Sequence, residues 1–161
     1  MRASDVRPAF LPLALALAAG CDRSLPVEER LAPPPVLELV RAGAGTLELR
    51  VSGPAGLRAL QVRVTYAPAE LRLTAFEAAP EAARLDRVFS GRLDRAEGSL
   101  TVAVTDTRRV LLPARGGLVR LGFEPRGGAD RSTVRLEDAL AVTATGEPLR
   151  LPDAALEVRL K

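Results

Sequence analysis

The sequence predicts an all-β domain of nine strands in two stacked sheets, set behind a leader and a linker. Three observations carry this. Apolar and polar residues alternate at period two, as where Leu60, Val62, Val64 and Tyr66 interleave with Gln61, Arg63 and Thr65; such a segment is a strand with one buried and one wet face. Turn chemistry punctuates the runs at Gly43-Ala44-Gly45, Gly53-Pro54, Ala67-Pro68, Gly116-Gly117, Pro125–Gly128 and Gly146-Glu147-Pro148. Helical periodicity is nearly absent, and the one short candidate, Glu77–Arg87, is interrupted by Pro80.

The leader comes first. Arg2 and Arg7, offset by Asp5, precede an uncharged Leu/Ala run from Ala9 to Ala19. As a helix that run spans about 16 Å, half the apolar core of a bilayer, which suits a signal-peptide core and not a transmembrane span. Ala18, Ala19 and Gly20 then lead into Cys21, the only cysteine. This order resembles a bacterial lipoprotein signal, in which small residues admit the backbone to a peptidase and the cysteine thiol takes a diacylglycerol. It departs from the usual lipobox in placing Ala18 where leucine is preferred, with Leu17 one position earlier. The alternative is an ordinary secretory signal cleaved near Gly20, leaving a free thiol that an oxidising compartment would disfavour. The lipoprotein resemblance implies lipidation at Cys21, an anchor without a spanning helix, and a domain in the cell envelope facing the periplasm or the exterior.

Residues 21–35 follow as a linker. Pro26 and Pro33-Pro34-Pro35 favour extended polyproline geometry and exclude a helix or central strand. At about 3.1 Å per residue this spacer would hold a domain roughly 40 Å from the membrane. The domain, 36–161, is long enough for its own core. Its strands are expected at 36–42, 46–52, 57–66, 71–76, 86–90, 99–105, 117–124, 133–144 with a break, and 155–160. Phe123, in phase with Val119 and Leu121, is expected inside, as is Tyr66 at the end of its alternation. Phe76 and Phe89 are the rings that could be exposed.

The stretch GLRALQVRVTYAPAELRLTAFEAA resembles the segment of cohesin domains where a long strand runs into a Tyr-Asp-Pro turn and a Leu-rich strand. GSLTVAVTDT, GGLVRLGFEPRG and STVRLEDALAVTATGEPLRL match that family's later strands in order and spacing. The resemblance covers Val36 to Lys161 and implies a nine-stranded jelly-roll β-sandwich, related in fold to certain carbohydrate-binding modules. It implies a non-catalytic module that binds a protein partner, typically a dockerin. Two departures stand out. Ala67 replaces the aspartate of the turn, and the positions where cohesins of enzyme complexes place an asparagine and an aspartate for dockerin fall on Ala59 and Gln61. The partner is therefore expected to be dockerin-like or another envelope protein, and carbohydrate binding is the alternative.

Composition narrows the chemistry. The chain has no histidine, and no cysteine besides Cys21, so Ser-His and Cys-His catalysis and the usual zinc sites are not expected, nor is any cofactor or metal. The nearest carboxylate pairs, Asp86 with Asp94 and Glu137 with Asp138, have arginines close by and read as solvated or ion-paired acids. The formal charge is +3, and losing two arginines and one aspartate with the leader lowers it by one. Basic and acidic residues are mixed and aromatics are few, so no nucleic-acid partner is expected.

The candidate partner face combines the outward residues of two strands: Ala59, Gln61, Arg63 and Thr65 from 57–66, with Thr101, Ala103 and Thr105 from 99–105. Arg63 is the only charge in those two rows. The following loop, Arg108, Arg109, Val110, Leu111 and Leu112, loses the alternation and offers three consecutive apolar residues. It is either part of a docking surface, with the arginines setting register, or a plug over the end of the core.

Overall fold

Period-two patterning becomes ten strands among the described residues of the computed structural model, which are 33–53, 56–83, 87–106 and 111–159, with side chains left aside for 87–90. The strands are β1 (Val36–Gly43), β2 (Thr46–Ser52), β3 (Leu57–Tyr66), β4 (Leu71–Ala78), β5 (Arg87–Asp94), β6 (Ser99–Asp106), β7 (Arg115–Pro125), β8 (Arg131–Thr143), β9 (Pro148–Arg150) and β10 (Ala154–Arg159). One sheet runs β1-β2-β7-β4 and the other β10-β8-β3-β6-β5, with β9 beside β8; every pairing is antiparallel. No helix occurs among the described residues. This is the all-β sandwich expected from the sequence.

The inner faces supply the core. Leu47, Leu49 and Leu121 of one sheet and Val62, Val64, Val102 and Leu136 of the other are completely buried. Each such side chain contributes about 1.5–3 kcal/mol of burial. Tyr66 and Phe123 close one end with an edge-to-face contact, ring centroids 5.3 Å apart, and both are buried as expected.

Two features depart from the sequence reading. The tenth strand, β9, lies where a turn was expected. Gly146, with φ of 95°, lets the chain reverse after Thr143, and Pro148 then pairs at the edge of β8, where its missing N–H costs no ladder bond. Glu48, which alternation with Leu47 and Leu49 would place on a wet face, is 1% exposed. The segment after β4 crosses that outer face: Ala79 donates its N–H to the Leu118 carbonyl at 3.1 Å, and Ala79 and Ala82 are buried. Gly117 leaves the room for this, since a Cβ there would sit 2.5 Å from Glu48 Oε1 and 2.8 Å from Ala79 Cβ. The Glu48 carboxylate accepts hydrogen bonds from Arg50 Nε at 2.8 Å and Arg120 Nε at 3.0 Å.

The loop before β7 follows one of its two readings at Leu112. Leu112 is 1% exposed, and its N–H donates to the Leu57 carbonyl at 2.6 Å. Leu112 therefore plugs the end of the core, the second of the two readings given for its loop. Leu111, next to it, turns outward at 39% exposure.

Candidate functional site

The outer face of the β8-β3-β6-β5 sheet gathers most of the residues expected to form a partner surface. Antiparallel pairing sets Ala59 opposite Thr105, Gln61 opposite Ala103 and Arg63 opposite Thr101. Thr65 continues the row and pairs with Ser99. The two rows thus lie side by side on one face. Gln61 is exposed, and the other six residues are partly so. Cys21, Arg108, Arg109 and Val110 lie outside the described residues.

β8 adds what the sequence reading missed. Val134 and Leu136 are buried, and continued alternation would bury Leu140 as well. Instead the register between β3 and β8 shifts between Gln61 and Arg63. Asp138, with φ of 52°, takes the left-handed conformation that aspartate tolerates better than most residues. A bulge of this kind reverses which face each later residue meets. Ala139 and Ala141 turn inward, and Leu140 emerges at 45% exposure opposite Gln61. Arg150 of β9 holds the bulge from outside, its Nη2 donating to Asp138 Oδ1 at 3.0 Å. The glutamate-aspartate pair followed by small alanines was the available signal, because alternation alone would have placed Leu140 in the core and two alanines on the surface.

The result is a face with two halves. Ala59, Ala103, Leu140 and Val142 border a shallow apolar depression of about 240 Å³, with Gln61 and Thr105 on its rim. Leu111 packs against Gly56 at the same end of β3. The other half is charged. Arg63 Nη2 donates to Glu97 Oε2 at 3.3 Å, and Arg92, Asp94, Ser99 and Thr101 surround that pair. Glu137 and Arg135 of β8 stand opposite Arg63 and Thr65. Arg63 is thus one charge among several on this face, because β5, β8 and the β5–β6 turn contribute to it. Exposed pairs such as Arg63–Glu97 contribute about 0–1 kcal/mol to stability, so they are free to re-pair with a partner.

Two of the four carboxylates considered as reaction pairs have structural partners. Asp138 is held by Arg150. Asp94 Oδ1 accepts from the N–H groups of Ala96 and Glu97 at 3.0 and 3.1 Å, capping the β5–β6 turn. Asp86 lies outside the described residues. No group of three metal-ligating side chains occurs among the described residues. No exposed aromatic ring occurs among the described side chains: Tyr66 and Phe123 are buried, Phe76 is half-buried against the core beside Gly91, and the side chain of Phe89 lies outside those described.

No family model matches the sequence, and no curated protein matches it. Solved structures do match. The sixth cohesin of scaffoldin B from Acetivibrio cellulolyticus, solved in complex with a Cel5 dockerin, is 17% identical with a TM-score of 0.63, over 78% of this chain and 99% of that one. A non-cellulosomal cohesin from the archaeon Archaeoglobus fulgidus is 9% identical with a TM-score of 0.61, over 78% and 91%. The cohesin module of a family 33 glycoside hydrolase from Clostridium perfringens is 11% identical with a TM-score of 0.59, over 80% and 96%. At such identities the likeness establishes the fold, a cohesin-like β-sandwich.

Proposed function

We propose that this chain is a non-catalytic protein-binding module, held at a membrane by a lipid on Cys21 and using the outer face of the β8-β3-β6-β5 sheet to capture its partner. The observation that carries the reading is Leu140. A 13-residue strand is bulged so that a leucine stands in water beside a small apolar depression, while alanines fill the core beneath. A solvent-exposed apolar patch rimmed by polar and charged groups suits a protein partner, with the apolar centre supplying affinity and the rim supplying register. The cohesin-like fold supports the same reading, since one similar structure was solved with a dockerin bound. Ala59 and Gln61, standing where the resemblance implies an amide and an acid in that order, favour a dockerin-like partner of altered contact chemistry or another envelope protein.

A polysaccharide is the competing ligand. Sugar platforms rely on exposed rings, and the described side chains offer none. The test is direct. The immobilised full chain is presented with a panel of dockerin modules and, separately, with insoluble polysaccharides, alongside the variants Gln61→Glu and Arg63→Glu. Protein binding that both variants weaken supports the reading. Polysaccharide sedimentation with no protein binding overturns it. The anchor is tested by Cys21→Ser, which should leave an uncleaved precursor or a released protein on membrane fractionation. A variant that is still processed and membrane-bound would contradict lipidation.

A further inference from the structure

At the opposite end of β3 from the apolar depression, a second cleft opens between the edge strand β4 and the turns that follow β5 and β7. It measures about 370 Å³ and is walled by Tyr66, Pro68, Leu71 and Leu73, with Arg72, Arg95 and Arg126 at its margins. Arg72 is paired with Glu124 across the β4–β7 ladder. Neither Arg95 nor Arg126 has a carboxylate partner among the described residues. Asp94, whose charge acts on Tyr66, spends one carboxylate oxygen on the N–H groups of Ala96 and Glu97.

Both arginines stand on turns that are locked in place. The β5–β6 turn is capped by Asp94 and closed by Gly98, whose φ of 65° lets its carbonyl accept the Tyr66 N–H at 2.8 Å. A Cβ at Gly98 would collide with the Tyr66 carbonyl oxygen and Pro68, so this turn presses directly on the cleft wall. The β7–β8 turn is tied down by Arg126 N–H donating to the Glu70 carbonyl at 2.7 Å, and by Ala129 N–H donating to the Arg126 carbonyl at 3.2 Å. The two guanidiniums therefore spring from turns tied to the rest of the domain, and both charges act on Tyr66. Burial pushes the Tyr66 hydroxyl up, with Arg95 and Arg126 pulling it the other way and Asp94 adding to the rise. The net effect is upward, so the hydroxyl stays protonated and able to donate.

We infer that this cleft is a binding site for a carboxylate-bearing ligand, gripped by Arg95 and Arg126 with the Tyr66 hydroxyl as a third donor. Guanidinium forks match the planar geometry of a carboxylate and bind it by paired, charge-assisted hydrogen bonds. The site lies apart from the Leu140 depression and does not rest on the function proposed for that face. A carboxylate could arrive as a free small acid or as an acidic side chain of a peptide.

The two sources are separated by titrating the full chain at low salt with citrate and with a tri-glutamate peptide, following backbone amide shifts of residues 66–74, 95–98 and 126–129. Shifts that saturate with either probe support the site, and the probe that binds identifies the source. Losing one guanidinium should weaken binding about tenfold, the value of one charge-assisted hydrogen bond, so Arg95→Ala and Arg126→Ala should each do so. Tyr66→Phe, which keeps the buried ring, should weaken it several-fold. Two results overturn the inference: neither probe shifting these amides at concentrations up to about 10 mM, a Kd too weak for a specific site, or both arginine variants binding as tightly as the parent.

Discussion

Replacing Glu48 by glutamine should destabilise the domain measurably at neutral pH and hardly at all in acid. The carboxylate is 1% exposed and accepts one hydrogen bond from each of Arg50 and Arg120. Glutamine keeps one acceptor oxygen and turns an NH2 group towards the other guanidinium, so one charge-assisted bond is lost and the second is weakened. Bonds of this kind contribute about 1.5–3 kcal/mol each, and breaking a fully buried pair costs about 3–5 kcal/mol. The arginine side chains are 48% and 37% exposed, so water recovers part of their solvation. The net loss should be about 2 kcal/mol, or a fall of about 6–8 °C in Tm for a domain of this size.

The pH dependence follows from the carboxyl group. Burial alone would raise its pKa, but the hydrogen bonds and charges of Arg50 and Arg120 outweigh burial and hold it below its ordinary value. A depressed carboxylate adds stability that is complete above the unfolded-state pKa and is lost as the pH falls through the folded one. The gap between parent and variant should therefore be full at pH 7 and close progressively below the ordinary glutamate range. Thermal melts followed by circular dichroism across that range supply the measurement. An unchanged Tm at pH 7, or a gap that widens on acidification, would refute the reasoning.

Other outcomes follow from the same packing. Gly117→Ala places a methyl against the Glu48 carboxylate and Ala79 Cβ, and should cost about 1–3 kcal/mol, read as a lower denaturant midpoint with an unchanged slope. Val62→Asp or Val102→Asp buries an unpaired charge between the sheets and should abolish the cooperative unfolding transition. Leu140→Glu, at an exposed site, should leave the midpoint unmoved. Leu112→Asp should unfold the end of the sandwich, whereas Leu111→Asp should not, because only Leu112 is buried; proteolysis of the two variants distinguishes them.

The sheets were legible in the sequence because burial on one face writes itself as strict alternation, and residues such as Leu60, Val62 and Val64 follow it without exception. What escaped was everything that depends on a break in phase or on a distant segment. The bulge at Asp138 rests on a single positive φ that an aspartate can adopt but does not announce, and it decides which side of the sheet Leu140 meets. Glu48 is buried by a segment some thirty residues away, Ala79–Ala82, so no local pattern around β2 could reveal it. The strand β9 is short and begins at a proline next to a glycine turn, which local chemistry reads as a loop. The rows of β3 and β6 were placed together correctly because both are regular strands, while the apolar centre between them and β8 depended on the bulge. The cleft beside Tyr66 draws on three turns far apart in sequence, and arginines are too frequent in this chain for any one of them to stand out.

The central claim, that the β8-β3-β6-β5 face captures a protein, is tested most directly by site-specific photo-cross-linking of the full chain in the cells that make it. A photoreactive residue is placed at Gln61, at Leu140, or at Glu77 on the outer face of the other sheet. The account predicts one discrete protein adduct, the same from Gln61 and Leu140 and absent from Glu77. Adducts from Glu77 alone, or none from the first two positions, would contradict it.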